Sequence, residues 1–335
     1  MALKLNERYP GRFGNPSAGY PQGSFKNRTT PDAKDGSYLE KDWANDKEGF
    51  FQSLLSDAGI EANGSVDQVG SSQYFSALKQ IVGDLIKKSG PVVGTVRNGR
   101  MSITAASATA TYLADEVVVK VAAAGQGYTL AGLNKTINLA TVGAGGMDAG
   151  AAPNNGWVAI YAIYNPITEA SALLGVNVTS ALAPEIYGGA NMPAGYTASG
   201  LLTVLGTNGA GQFKAGWSVS DRRVAIPQTQ LFTTQSTQAA PGTLINIASL
   251  VPRNAKRMSG NLTITSTSTS LLSVVMDSNQ LQSGRALCSS GVSAGQPAGN
   301  NFSNFELLTP QTIYITTSSS AGTPTYAGYV VGYEI

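Results

Sequence analysis

From Pro91 to Ile335 the chain carries no helical stripe; it is a succession of short apolar runs separated by turn clusters. The runs are Val117–Val121, Trp157–Tyr164, Leu201–Leu205, Gln212–Val219, Leu262–Thr265, Leu271–Met276, Thr312–Thr316 and Tyr326–Ile335. Between them lie Gly/Asn-rich breaks such as 143–146, 153–156 and 207–211. Many short strands with Gly/Asn turns predict a sandwich or barrel-like β fold and exclude βαβ units. Trp157–Tyr164 is apolar on both faces, which predicts a strand covered on both sides. Residues 170–176 read as a strand or a brief helix, and 187–196 as a loop. In Tyr326–Ile335, Tyr329, Val331, Tyr333 and Ile335 alternate onto one predicted face.

The first 90 residues read differently. Residues 1–36 are punctuated by Pro and Gly too often for a helix. They read as a disordered tail or, as the interleaved aromatics favour, an extended strap in which Tyr9, Phe13, Tyr20 and Phe25 are candidates for docking on a partner. A helix follows, with Ser37 and Glu40 in capping-box spacing and Gly59 as its stop. A second helix starts at Ser71 or Ser72 and ends at Gly90-Pro91. Trp43, Phe50, Leu54, Tyr74, Leu78, Ile81 and Leu85 supply the apolar stripes of this pair, which reads as a small hairpin. It is too small to bury both stripes alone, so packing on other copies or on a partner is expected.

Charge divides the chain the same way. Residues 1–100 hold 24 of the 42 charged side chains, and the other 235 residues hold 18. A neutral body of this kind suits a shaft whose flanks are buried against copies of itself, because charge is depleted from interface cores. A net charge of +2 implies no field for nucleic acid or an anionic membrane. The absence of histidine removes Ser-His-Asp and Cys-His catalysis and nearly all zinc sites. The single cysteine, Cys288, cannot form an intrachain disulfide and reads as an inert buried thiol. Met1–Pro10 has no apolar core of a secretory signal, and no run reaches membrane-spanning length.

No catalytic constellation stands out. Asp115 and Glu116 are strand neighbours pointing to opposite faces, and the other body acids stand singly. The expectation is no enzyme, no cofactor and no metal. Candidate receptor-binding residues are the basic cluster Arg253, Lys256 and Arg257, and Asn300, Asn301 and Phe302 at the end of a long polar loop, 289–302. Amides beside an aromatic ring suit sugar hydroxyls and apolar ring faces.

Within 20–85 the succession Tyr20-Pro-Gln-Gly-Ser-Phe, Lys34-Asp-Gly-Ser-Tyr-Leu-Glu-Lys41, Trp43-Ala-Asn-Asp46, Gly49-Phe-Phe-Gln-Ser-Leu-Leu55 and Ser72-Gln-Tyr-Phe-Ser-Ala-Leu78 resembles the N-terminal region of tail fibre proteins of tailed bacteriophages and related prophages. Residues 157–217, with Trp157–Pro166 and Gly188–Tyr196, are similar to a β module of such fibres. The resemblance implies an elongated homotrimer in the virion tail, assembled in the host cytoplasm. Its N-terminus would meet baseplate or tail proteins. Its distal end would meet a host polysaccharide, pilus or outer-membrane protein, with no nucleic acid and no membrane insertion.

The expected fold is therefore mostly β with a small helical N-terminal segment. Its expected parts are a strap (1–36), a helical attachment and trimerisation segment (37–90), a central β domain (91–225) and a C-terminal sandwich-like tip (226–335). The segment 221–227 is read as the seam between the two β domains. A purely structural baseplate component and a small polysaccharide depolymerase remain alternatives.

Overall fold

The computed structural model describes residues 3–88 and 92–335. The chain divides into two compact units, 1–89 and 90–335.

In the first unit the strap is folded onto itself. A single turn, α1 (Leu5–Arg8), buries Leu5. Gly14 and Ser24 form a bridge. Tyr9, Phe13, Phe25 and Trp43 then stack in series, with ring centroids 5.6, 4.9 and 5.2 Å apart. The helix α2 (Lys41–Asp57) is capped at Glu40 without a side-chain bond. Ser37 therefore lies outside the helix. Its hydroxyl donates to the Arg12 carbonyl at 2.6 Å and accepts the Lys26 amide at 3.0 Å, so strap bonds replace the expected cap.

The stop at Gly59 is as expected. Gly59 takes φ +66°, its amide donates to Ser56, and the Ile60 amide donates to Leu55, the paired bonds of a Schellman end. The second helix, α3 (Gln73–Lys88), opens at Ser72, whose hydroxyl accepts the Phe75 amide at 3.0 Å. The expected end at Gly90-Pro91 lies outside the described residues.

The two helices do not make the expected hairpin. Phe51 meets Tyr74 at one end of the contact, with centroids 4.9 Å apart. At the other end the Gln80 amide donates to the Ala58 carbonyl at 2.7 Å. The contacts advance in the same direction along both helices, and residues 59–72 carry the chain back. Leu54, Leu55, Ala58, Tyr74, Ala77 and Ile81 fill the contact. Phe50 and Leu78 lie outside it, 61% and 42% exposed.

The second unit is built on antiparallel pairing. In chain order its strands are β1 (Val96–Arg97), β2 (Arg100–Ile103), β3 (Thr109–Lys120), β4 (Gly127–Asn138), β5 (Trp157–Asn165), β6 (Ala170–Asn177), β7 (Ala198–Gly206) and β8 (Trp217–Ser220). They continue as β9 (Arg223–Thr234), β10 (Gln238–Asn246), β11 (Arg257–Ser266), β12 (Ser270–Asp277), β13 (Ala286–Val292), β14 (Ala298–Glu306), β15 (Thr312–Ser319) and β16 (Pro324–Glu334). A large sheet runs β14-β11-β16-β9-β8-β2-β3-β7-β5-β6, with β1 and β4 also paired to β3. A second sheet runs β10-β15-β12-β13. Leu262 and Ile264 of β11 and Val274 and Met276 of β12 share one buried cluster, so the C-terminal strands form a sandwich. The chain is mostly β with a small helical segment, as its turn and strand pattern predicts.

The expected seam is a hairpin within the sheet. Ser220 pairs with Arg223, and Asp221-Arg222 form the two-residue connection between β8 and β9. Position 225/226 falls inside β9, and residues from both sides of it share one core. The charged pair Asp221-Arg222 marks a turn here, not a boundary, because the flanking strands keep pairing.

β5 is buried on both faces as its pattern predicts, flanked by β6 and β7. β16 departs from simple alternation. Two register shifts, between Gly328 and Tyr329 and between Val330 and Gly332, send Val330 and Tyr333 inward and leave Val331 38% exposed. Cys288 is free and buried, and burial raises its thiol pKa.

Candidate functional site

The C-terminal sandwich has one open side. β13 is the outer strand of the small sheet, and β14 is the outer strand of the large one. A cleft of about 550 Å³ lies between them. The segment expected to be a long loop is in fact the end of β13, a turn, and the start of β14. Asn300, Asn301 and Phe302 therefore stand on a strand and line this cleft together.

Asn300 bridges the two edges: its side-chain amide donates to the Leu287 carbonyl of β13 at 2.8 Å. Phe302 is half-buried against Phe305, with centroids 6.0 Å apart at 67°. Asn301 is exposed. Gly260 sits opposite Phe302 in the bulge of β11, and a Cβ there would stand 2.8 Å from Phe302 Cζ.

The floor of the cleft holds a group that sequence reading passed over. Arg285 donates from Nε to Asp277 Oδ1 at 2.9 Å and from Nη2 to Asp277 Oδ2 at 3.2 Å. Nη2 also donates to Gln282 Oε1 at 2.8 Å. The Asp277 side chain is only 1% exposed, whereas Arg285 is 43% exposed and faces the cleft. The bond to Asp277 raises the Arg285 pKa further. The carboxylate thus fixes the guanidinium plane and cancels its charge, leaving a rigid N–H donor. Their spacing across the β12–β13 hairpin, where Met276 pairs with Ala286, is the signal that could have exposed the pair.

The basic cluster divides. Arg253 is exposed and apart, whereas Lys256 and Arg257 line a second, larger groove of about 1000 Å³. This groove gathers Glu185, Asp221, Arg222, Arg223, Lys256, Arg257, Glu306 and Glu334, eight of the eighteen charged residues after position 100. Arg222 forks onto Glu185 with two bonds of 2.8 Å and reaches the Ile335 main-chain oxygen at 3.2 Å. Arg257 lies 3.7 Å from Glu306 and 3.8 Å from Glu334. The Arg257 pairs join the ends of β11, β14 and β16, and Arg222 joins the β8–β9 hairpin to Glu185 and to the chain just after β16, so the groove reads first as an electrostatic latch.

Of the strap aromatics, Phe13 is buried and Tyr9 stacks on it, while Tyr20 is 64% exposed and Phe25 is partly so. Trp43 closes the strap stack beneath Lys47, 3.9 Å from its ring. Among the described residues no three His, Cys, Asp or Glu side chains gather as a metal set. No described helix is long and apolar enough to cross a membrane.

No protein-family model and no curated protein matches the chain. Among solved structures it is similar to infectious bursal virus-derived T=1 particles, at 12% identity and TM-score 0.20 over 73% of this chain and 67% of that one. It is also similar to the infectious bursal disease virus VP2 subviral particle, at 13% identity and TM-score 0.19 over 73% and 69%. Scores this low carry no argument about fold or function.

Proposed function

We propose that this chain is a tail fibre or receptor-binding protein of a tailed bacteriophage, working as a homotrimer. Residues 1–89 attach it to the tail or baseplate, and the C-terminal sandwich touches the host surface. The resemblance of residues 20–85 and 157–217 to fibre sequences motivates the class. The cleft between β13 and β14 is the observation that carries the binding role. It places amides, a charge-cancelled guanidinium and a half-buried aromatic ring at one open edge. That set suits a surface saccharide, whose hydroxyls donate and accept while its ring face stacks. Several copies would add avidity to weak single contacts.

Purified full-length protein should slow adsorption of the phage that carries it by occupying the receptor. The double substitution Asn301→Ala with Phe302→Ala should abolish that block while keeping the folded transition. A wild-type chain that never competes would sink the receptor role.

A further inference from the structure

The stacking of the strap aromatics has a consequence for attachment. Tyr9, Phe13, Phe25 and Trp43 stack on one another and Phe13 is buried, so of the four strap rings Tyr20 and part of Phe25 face outward. The loop 26–38 also projects charge. Lys26, Arg28 and Lys34 are exposed and line one pocket of about 510 Å³, with Asn27 and Asp32. None of the three makes a close ion pair with another described residue, although, beyond bonding at Thr29, Lys26 acts through space on the Asp35 carboxylate and helps to lower its pKa.

The loop is rigidly built. The Lys26 amide donates to Ser37 Oγ and the Ser37 amide to the Lys26 carbonyl, both at 3.0 Å. The Thr29 amide donates to Asp35 Oδ1 at 3.0 Å, and bonding at Thr29 lowers the Asp35 pKa. A Cβ on Gly36 would lie 2.7 Å from the Arg28 amide nitrogen, so only glycine lets the two arms close. Behind the pocket wall, the Arg12 guanidinium lies 4.3 Å over the Tyr38 ring. Its Nη1 is buried with no hydrogen-bond partner.

We infer that the pocket formed by Lys26, Arg28 and Lys34 binds an acidic segment of a partner polypeptide. Charge along the unit agrees: residues 8–38 carry five basic and two acidic side chains, whereas 40–61 carry six acidic and two basic. Asp32 on the pocket rim decides between anions. A peptide brings carboxylates for the cations and backbone N–H donors for Asp32, while a phosphate chain brings no donor and meets repulsion there. This deepens the attachment role proposed above and rests on it for the partner being a tail protein.

The test uses the full chain and a labelled short Glu/Gly peptide, read by fluorescence anisotropy. Binding should weaken steeply as salt rises from about 0.05 to about 0.5 M, because the cations are exposed. Lys26→Glu with Arg28→Glu and Lys34→Glu should weaken it at least about tenfold. The milder Lys26→Gln with Lys34→Gln, which keeps Arg28 and the fold, should weaken it less. Arg253→Glu in the other unit should change nothing. A Gln/Gly peptide binding equally well, or affinity that ignores the pocket substitutions, overturns the inference. So does inorganic phosphate displacing the peptide at equal concentration, which would mark a simple anion site. None of these readouts depends on host adsorption, so failure here is separable from failure of the receptor role.

Discussion

Tyr333 of β16 donates its phenolic hydrogen to the Val204 carbonyl of β7 at 2.6 Å, across 129 residues of sequence. Its ring stands edge-on to Trp157 and Trp217, with centroids 6.1 and 6.2 Å away. Trp157 in turn donates from its indole to the Ala248 carbonyl at 3.0 Å. One aromatic knot thus binds the first half of the β body to the second.

Tyr333→Phe keeps the ring and deletes the bond, so it should cost about 1–2 kcal/mol. Tyr333→Ala also opens a cavity between two indoles and should cost about 3–5 kcal/mol. Urea denaturation followed by tryptophan fluorescence measures both. Residues 90–335 should melt in one step in the wild type, and two separate steps split at residue 225 would contradict the shared core.

Burial raises the phenol pKa of Tyr112, Tyr161 and Tyr333, with nearby Asp221 adding to the shift at Tyr112 and Glu185 at Tyr161. A raised folded pKa means that the native state holds its protons longer than the unfolded chain. The stabilisation is complete below the unfolded value of about 10 and is lost as pH climbs toward the folded values. Absorbance at 295 nm should show these three phenols silent in the native protein just above pH 10. They should ionise together when the chain unfolds in alkali.

Arg285→Ala strands the Asp277 carboxylate, which has almost no access to water. Because Arg285 itself is partly exposed, the cost should be about 2 kcal/mol, below that of a fully buried pair. Arg285→Lys should recover only part of it, since an ammonium cannot make the forked contact. Thermal melting of the three proteins, at equal concentration, ranks them.

Gly59→Ala forces a Cβ into φ +66° at the end of α2 and should cost about 1 kcal/mol. Ser72→Ala removes the bond to the Phe75 amide at the start of α3 and should cost a similar amount. Ser37→Ala, by contrast, should leave helix content unchanged and loosen the strap. Far-ultraviolet circular dichroism together with protease sensitivity near residues 26–38 separates the two effects.

Where side chains alone dictate local structure, the sequence was sufficient. The apolar runs that became β5, β7, β11, β12, β15 and β16 were legible because a strand facing a core must be apolar there. The Gly59 stop was legible because few residues other than glycine tolerate its backbone. Strands such as β13 and β14 were not, for Ser289-Ser290-Gly291 and Asn300-Asn301 carry no apolar signal. They are strands because a neighbouring edge offers a ladder to pair with. Asn300, Asn301 and Phe302 were visible as candidates, but their meeting with Arg285 was not.

The amino-acid order determined on its own that this would be a β protein with a helical, charge-rich head, since periodicity and turn chemistry act over a few residues. Tertiary structure alone decided that β8 and β9 continue one sheet through Asp221-Arg222, that α2 and α3 run in the same sense, and that eight scattered charges share a groove. Those outcomes depend on pairings between segments far apart in the chain. Their energies come from which edges and faces meet, and that information is in no single stretch of residues.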